Sequence, residues 1–110
     1  MSTTLWSSHD GTLQVVQDQE NRFFEVRVCG SPAGLLVYEQ RGNHVDLTHT
    51  TVREEFRGKG LATVMIREAL LALRSENMVV VNHCPVVGRF TERNRAFAAM
   101  FSGEERKEAP

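Results

Sequence analysis

The sequence predicts a mixed α/β domain: a four-stranded antiparallel meander, then a helix, a strand parallel to its predecessor, and a C-terminal helix. Three observations carry this expectation. The first half of the chain holds four short runs rich in β-branched and aromatic residues, divided by tight turns. Beyond residue 60 the apolar period changes from two to three-and-four. Between the two halves stands a basic, glycine-containing turn, Arg57-Gly58-Lys59-Gly60.

Each element has its own justification. Residues 1–12 are polar and weakly patterned and read as a flexible lead-in. Leu-Gln-Val-Val at 13–16 is a first strand, ended by the turn signal Asp18-Gln19-Glu20-Asn21. In 23–29, Phe24, Val26 and Val28 alternate with Glu25 and Arg27, the period of a half-buried strand. The Gly-Ser-Pro-Ala-Gly stretch at 30–34 turns the chain into a third strand at 35–38, and Arg41-Gly42-Asn43 turns it again into a fourth at 44–52. Such short connections favour antiparallel pairing. Ala62, Met65, Ile66, Ala69, Leu70 and Leu73 then form one helical stripe, so a helix is expected over about 59–75, with Asn77 as its C-terminal stop. Residues 78–81, Met-Val-Val-Val, are too β-branched for helix and read as a buried strand limited by Pro85. Phe90, Phe97, Ala98, Met100 and Phe101 suggest a last helix over about 87–102, followed by a flexible charged tail at 103–110.

Bulk properties narrow the functional classes. A chain of 110 residues makes one domain, here expected over 13–102. Apolar content of 41% and charged content of 25% are ordinary for a soluble globular protein, and a net charge of −1 carries no general nucleic-acid signature. No apolar run approaches the roughly 20 residues of a membrane span. The N-terminus lacks a basic and apolar leader, and two cysteines make no disulfide framework, so a cytoplasmic location is expected. His9, His44, His49 and His83 show no ligand spacing with each other or with Cys29 and Cys84, and no metal is expected.

The glycine turn is where function is most legible. A strand that breaks into such a turn and then a helix leaves backbone N–H groups unpaired at the positive end of the helix dipole, which suits a bound phosphate or pyrophosphate. A P-loop is excluded, because Lys59 is followed by Gly60 and the first glycine position is Arg53. A dinucleotide fingerprint is excluded, because Thr63 stands at its third glycine. The run Arg57-Gly58-Lys59-Gly60-Leu61-Ala62 instead fits Arg/Gln-x-x-Gly-x-Gly/Ala.

That pattern resembles the acetyl-CoA pyrophosphate loop of the GNAT superfamily of N-acetyltransferases. The resemblance extends over about 13–100, through Phe24-Glu25-Val26, Ala33-Gly34, Tyr38, Leu47-Thr48-His49-Thr50, Val52, Cys84-Pro85 and Glu92-Arg93. The pair of helices usual between the first strands is missing, so the chain is similar to the compact, single-domain, GNAT-like proteins of about a hundred residues. The resemblance implies a fold in which the fourth and fifth strands splay apart and the pantetheine arm pairs with the fourth. Thr50, Thr51 and Val52 are then the backbone partners of that arm, and one of their N–H groups polarises the thioester carbonyl. The amides of 58–62 hold the pyrophosphate, with charge added near the phosphates, the ribose phosphate included, by Arg57 and Lys59. Glu54 and Glu55 balance charge and face solvent.

Catalytic candidates are fewer. Cys84 ends a strand beside the expected thioester, near His83 and a helix start, and reads either as a buried small hydrophobe or as a participating thiol. His49 reads either as a hydrogen-bonded strand residue or as the base for an attacking ammonium; alternation places it on the face of Leu47 and Thr51. GNAT enzymes often carry a tyrosine acid in the last helix, where this chain has Phe90 and Phe97, and Tyr38 is its single tyrosine. Arg89, Arg93 and Arg95 read as a solvated face or, as the lesser alternative, as side chains that reach substrate or CoA. The function implied is acetyl-CoA-dependent N-acetylation of an amine-bearing acceptor, through direct transfer or an acetyl-cysteine. The alternatives are an acyl-CoA-binding or sensing module with little catalysis and a protein-interaction domain. Neither the acceptor nor an oligomeric state is assigned by the sequence.

Overall fold

The computed structural model describes residues 2–101. Six strands form one sheet in sequence order: β1 (Ser2–Ser7), β2 (Leu13–Asp18), β3 (Phe23–Val28), β4 (Ser31–Arg41), β5 (His44–Val52) and β6 (Val79–Asn82). All neighbours are antiparallel except β5 and β6, which are joined through helix α1 (Leu61–Ser75) and pair in parallel. Helix α2 (Pro85–Arg93) and a 3-10 segment (Arg95–Met100) complete the described chain.

Two expectations about the meander are corrected. The 1–12 lead-in contains β1, so the meander has five strands rather than four. β1 is an edge strand that packs only Leu5 and Trp6 toward the core, and its outer residues alternate with nothing, which hides it from periodicity. β4 begins at Ser31 rather than Leu35, because Pro32 sits where the β3–β4 register shifts, a place where a missing N–H is tolerated. The reversal itself is left to Cys29 (φ 50°) and Gly30 (φ 84°), two positive-φ residues as a tight hairpin of the I′ kind requires.

The core lies between the sheet and α1, which crosses β1 to β5, while α2 packs on β5. Val15, Phe24, Val26, Leu36, Tyr38, Val45 and Leu47 meet Leu61, Met65, Ile66, Ala69, Leu70 and Leu73 of α1. At the head of the helical stripe Leu61 is buried and Ala62 only half-buried, so the stripe starts one residue earlier than its period suggested. The helix ends as expected at Asn77 (φ 59°): its N–H bonds Arg74 O at 3.0 Å, and Met78 N–H bonds Leu73 O at 3.0 Å, which is a Schellman closure.

The single long C-terminal helix is also corrected. Asn94 (φ −132°, ψ 74°) interrupts it, donating its side-chain amide to Phe90 O at 2.8 Å and its N–H to Thr91 O at 3.1 Å. Phe90 and Phe97 still stack, at 5.7 Å between centroids, across that break. Residue 102 and the 103–110 tail lie outside the described residues.

Candidate functional site

The site starts from an irregularity in β5. Val37 pairs with His49 and Tyr38 with Leu47, leaving Thr48 as one extra residue whose hydroxyl donates to Val37 O at 3.0 Å. This bulge inverts the alternation of everything beyond it. Val45 and Leu47 face the core, but His49 and Thr51 are exposed and Thr50 turns inward. The expectation that His49 shares a face with Leu47 is thereby overturned.

Pairing with β6 stops at the same place. The β5–β6 register ends at Leu47 with Asn82, and a last rung runs from His83 N–H to Leu47 O at 2.9 Å. Cys84 then caps α2 and Pro85 opens it, where no N–H is needed. Residues 48–52 therefore keep β4 on one side and, among the described residues, have no strand on the other. The departure is fixed by Asn82, which is buried; its Oδ1 accepts Cys84 N–H at 2.9 Å and its Nδ2 donates to Cys84 O at 3.0 Å. Cys84 is itself buried, with Sγ 3.3 Å from Thr50 Oγ1. Strand splay, bulge and amide clip converge on one thiol–hydroxyl contact.

The chain leaves β5 through a 3-10 turn (Glu54–Phe56) and reaches α1 through Gly58 (φ 79°) and Gly60 (φ 74°). At both glycines an added Cβ would meet no atom within 4 Å, so positive φ and not crowding selects glycine, and the backbone is open to a ligand. The first hydrogen bond of α1 runs from Val64 N–H to Gly60 O at 3.3 Å, and no side chain caps the helix. The N–H groups of 61–63 point out of the first turn as ready anion donors. Arg57 donates Nε to Val52 O at 3.1 Å, tying the turn back to the end of β5. Arg53 and Glu55 pair at 3.4 Å on the exposed side, and Glu54 is exposed with them.

These parts enclose one cavity of about 340 Å³. Its walls bring together Thr50, Thr51, Val52, Arg57, Gly58, Gly60, Leu61 and Ala62 from the sequence-derived set, joined by Phe56, Thr63 and Val86. Lys59, His49 and Cys84 do not line it: Lys59 and His49 are exposed, and Cys84 lies behind Thr50. The cavity therefore has one wall of free strand edge and one end of unpaired helix amides. An extended amide-bearing chain ending in a pyrophosphate fits this donor set. His83 is exposed with Nε2 4.0 Å from Asp46 Oδ2, and Asp46 is also held by Arg41 at 3.0 Å. Among the described residues no group of three or more His, Cys, Asp or Glu is placed to hold a metal ion, and no helix is long and apolar enough to cross a membrane.

Sequence reasoning missed Asn82. Its only signal was a lone amide at the end of an all-valine strand, directly before Cys84-Pro85. It also missed Phe56 and Val86, ordinary apolar residues whose role depends on which loop and helix meet.

Comparison with known proteins agrees with this geometry. A family model described as GCN5-related N-acetyl-transferase matches residues 23–100. The mouse (Mus musculus) Protein NATD1 is 31% identical over 86 residues, covering 76% of this chain and 78% of its own length. The chicken (Gallus gallus) Protein NATD1 is 32% identical over 84 residues, covering 74% and 76%, and the zebrafish (Danio rerio) protein of the same name is 32% identical over 84 residues with the same coverage. Sheet order, the splay beyond Leu47 and the glycine-led helix start agree with that match, and the chain belongs to the GCN5-related N-acetyltransferase family.

Proposed function

We propose that this protein is a small acetyl-CoA-dependent N-acetyltransferase that acts on an amine-bearing acceptor in the cytoplasm, without a metal and without a nucleic-acid or membrane partner. The observation that carries the proposal is the cavity of about 340 Å³ where the free edge of β5 meets the uncapped start of α1. The pantetheine amides pair along 50–52, and the amides of 58–62 take the pyrophosphate, with Arg57 and Lys59 adding charge.

The reaction is an acyl transfer. An uncharged amine nitrogen attacks the thioester carbonyl carbon, the C–N bond forms, the C–S bond breaks and the thiolate leaves, and the proton shed by the acylated nitrogen goes to the thiolate through solvent. A backbone N–H of β5 polarises the carbonyl oxygen, and the site holds both reactants in line. His49, exposed two residues from Thr51 on the open sheet face, takes the ammonium proton from an acceptor arriving on that face. The thiol of Cys84, buried behind Thr50 of the cavity wall, is the candidate for a part in the transfer.

A binding or sensing role with little turnover is the competing reading, and one observation favours it. Tyr38, the single tyrosine, is 1% exposed with its hydroxyl held by Gln17 at 3.1 Å, so it supplies no acid to the cavity. Release of CoA thiol from acetyl-CoA across a panel of amines separates the two readings. In that assay Cys84→Ala is expected to keep CoA affinity within about twofold while turnover falls by about tenfold or more. Unchanged turnover would return Cys84 to a packing role.

A further inference from the structure

We propose that Arg89 and Arg93 of α2 form a second anion subsite that receives the ribose 3′-phosphate of coenzyme A; this rests on the CoA reading of the first cavity. A second cavity of about 220 Å³ lies between the first turns of α1 and the outer face of α2. It shares Ala62, Thr63 and Val86 with the first, so the two are adjoining rooms along the start of α1. Arg89 and Arg93 both line it, and at a spacing of four they project from one face of α2.

Charge singles this place out. The chain carries a net charge of −1, yet among the described residues no Asp or Glu lines either cavity. Arg22, Arg27, Arg41, Arg53 and Arg67 pair with carboxylates, Arg57 donates to Val52 O, Arg74 lies 5.1 Å over the Phe97 ring, and Arg95 stands outside the cavity. Arg89 and Arg93 form no ion pair or ring contact among the described residues, although Glu92 stands between them on the same helix. Two cations left unpaired at one cavity mouth call for an external anion, and guanidinium suits phosphate oxygens. With the pyrophosphate at the head of α1, the phosphoryl group left on the cofactor is the ribose 3′-phosphate. The neighbouring room adds two cations to hold it, beyond the charge that Arg57 and Lys59 bring to the first.

Coenzyme A and 3′-dephospho-CoA, titrated calorimetrically into wild type and into an Arg89→Gln/Arg93→Gln double variant, test this directly. Wild type is expected to favour CoA by roughly ten- to a hundredfold, the range for charge-assisted hydrogen bonds. The double variant should lose most of that preference while its affinity for 3′-dephospho-CoA stays unchanged. Arg95→Gln, which lies outside the cavity, should behave as wild type. A preference that survives in the double variant, or an effect confined to the acceptor KM, would overturn the subsite. Equal binding of both ligands by wild type, abolished by Gly60→Glu, would also overturn it while leaving the proposed function standing. Failure of wild type to bind either ligand would remove both.

Discussion

Asn82→Leu is the substitution that most sharply separates a structural strut from an incidental polar residue. The side chain is 9% exposed and spans both backbone groups of Cys84, at 2.9 Å and 3.0 Å. Leucine approximates its shape and supplies neither bond. Cys84 O keeps the Gly88 N–H at 3.1 Å, so losing the amide donor there costs about 0.5–1 kcal/mol. Cys84 N–H has no second acceptor among the described residues, and in a residue 3% exposed an orphaned donor costs about 1–3 kcal/mol. The apolar surface that leucine buries offsets part of this, leaving a net loss of about 2 kcal/mol. For a domain of this size that lowers Tm by about 8–16 °C. Thermal and urea melts followed by circular dichroism give the number, with the urea m-value expected to stay constant. The same variant should bind CoA more weakly, because the wall carrying Thr50 and Cys84 loses its anchor. A melt within about 2 °C of wild type, with CoA affinity intact, would refute the strut.

Other outcomes follow from the same contacts. Tyr38→Phe should cost about 1–3 kcal/mol in urea melts, because the Gln17 amide, 6% exposed, loses its hydroxyl partner. Burial holds the Tyr38 phenol above its usual range, against a smaller opposing pull from Gln17, so the folded state keeps its proton more tightly than the unfolded chain. Stability from this group is thus full below about pH 10 and falls as pH rises beyond it, a slope that Tyr38→Phe should remove in melts taken above that point. Gly34→Ala places a Cβ 2.9 Å from Thr51 O and 3.3 Å from methyls of Val26 and Val52. It should destabilise by about 1–3 kcal/mol and weaken CoA binding through the displaced β5 backbone, both read by paired melts and calorimetry.

What the sequence disclosed follows the range of the forces involved. The stop of α1 was legible, because Asn77 adopts positive φ through its own local chemistry. The span of β5 and the glycine turn that opens α1 were legible too, since a β-branched run and a glycine-led helix start are written in adjacent residues. The bulge at Thr48 was not, because register is a property of two strands, and it reversed the facing of His49, Thr50 and Thr51. The break at Asn94 was masked by Phe90 and Phe97, whose helical spacing persists because they stack on each other across it. β1 carries too little apolar content to declare itself and depends on β2 for its hydrogen bonds. At the site, the backbone cradle could be read from residue types, whereas the Asn82 clip and the cavity walls at Phe56 and Val86 arise from tertiary contact.

The meeting of β5 with the Gly60-led start of α1 is the proposed coenzyme A site. Calorimetric titration of acetyl-CoA, CoA and ATP into wild type and Gly60→Glu tests it most directly. Gly60 has φ 74° and its Cβ position faces open space, so the glutamate costs about 1–2 kcal/mol of backbone strain and projects a negative charge into the cavity, leaving a folded protein by circular dichroism. Wild type is expected to bind the two CoA species in preference to ATP, and the folded variant to lose that binding. Wild type without CoA affinity, or a folded Gly60→Glu that binds as wild type does, would contradict it.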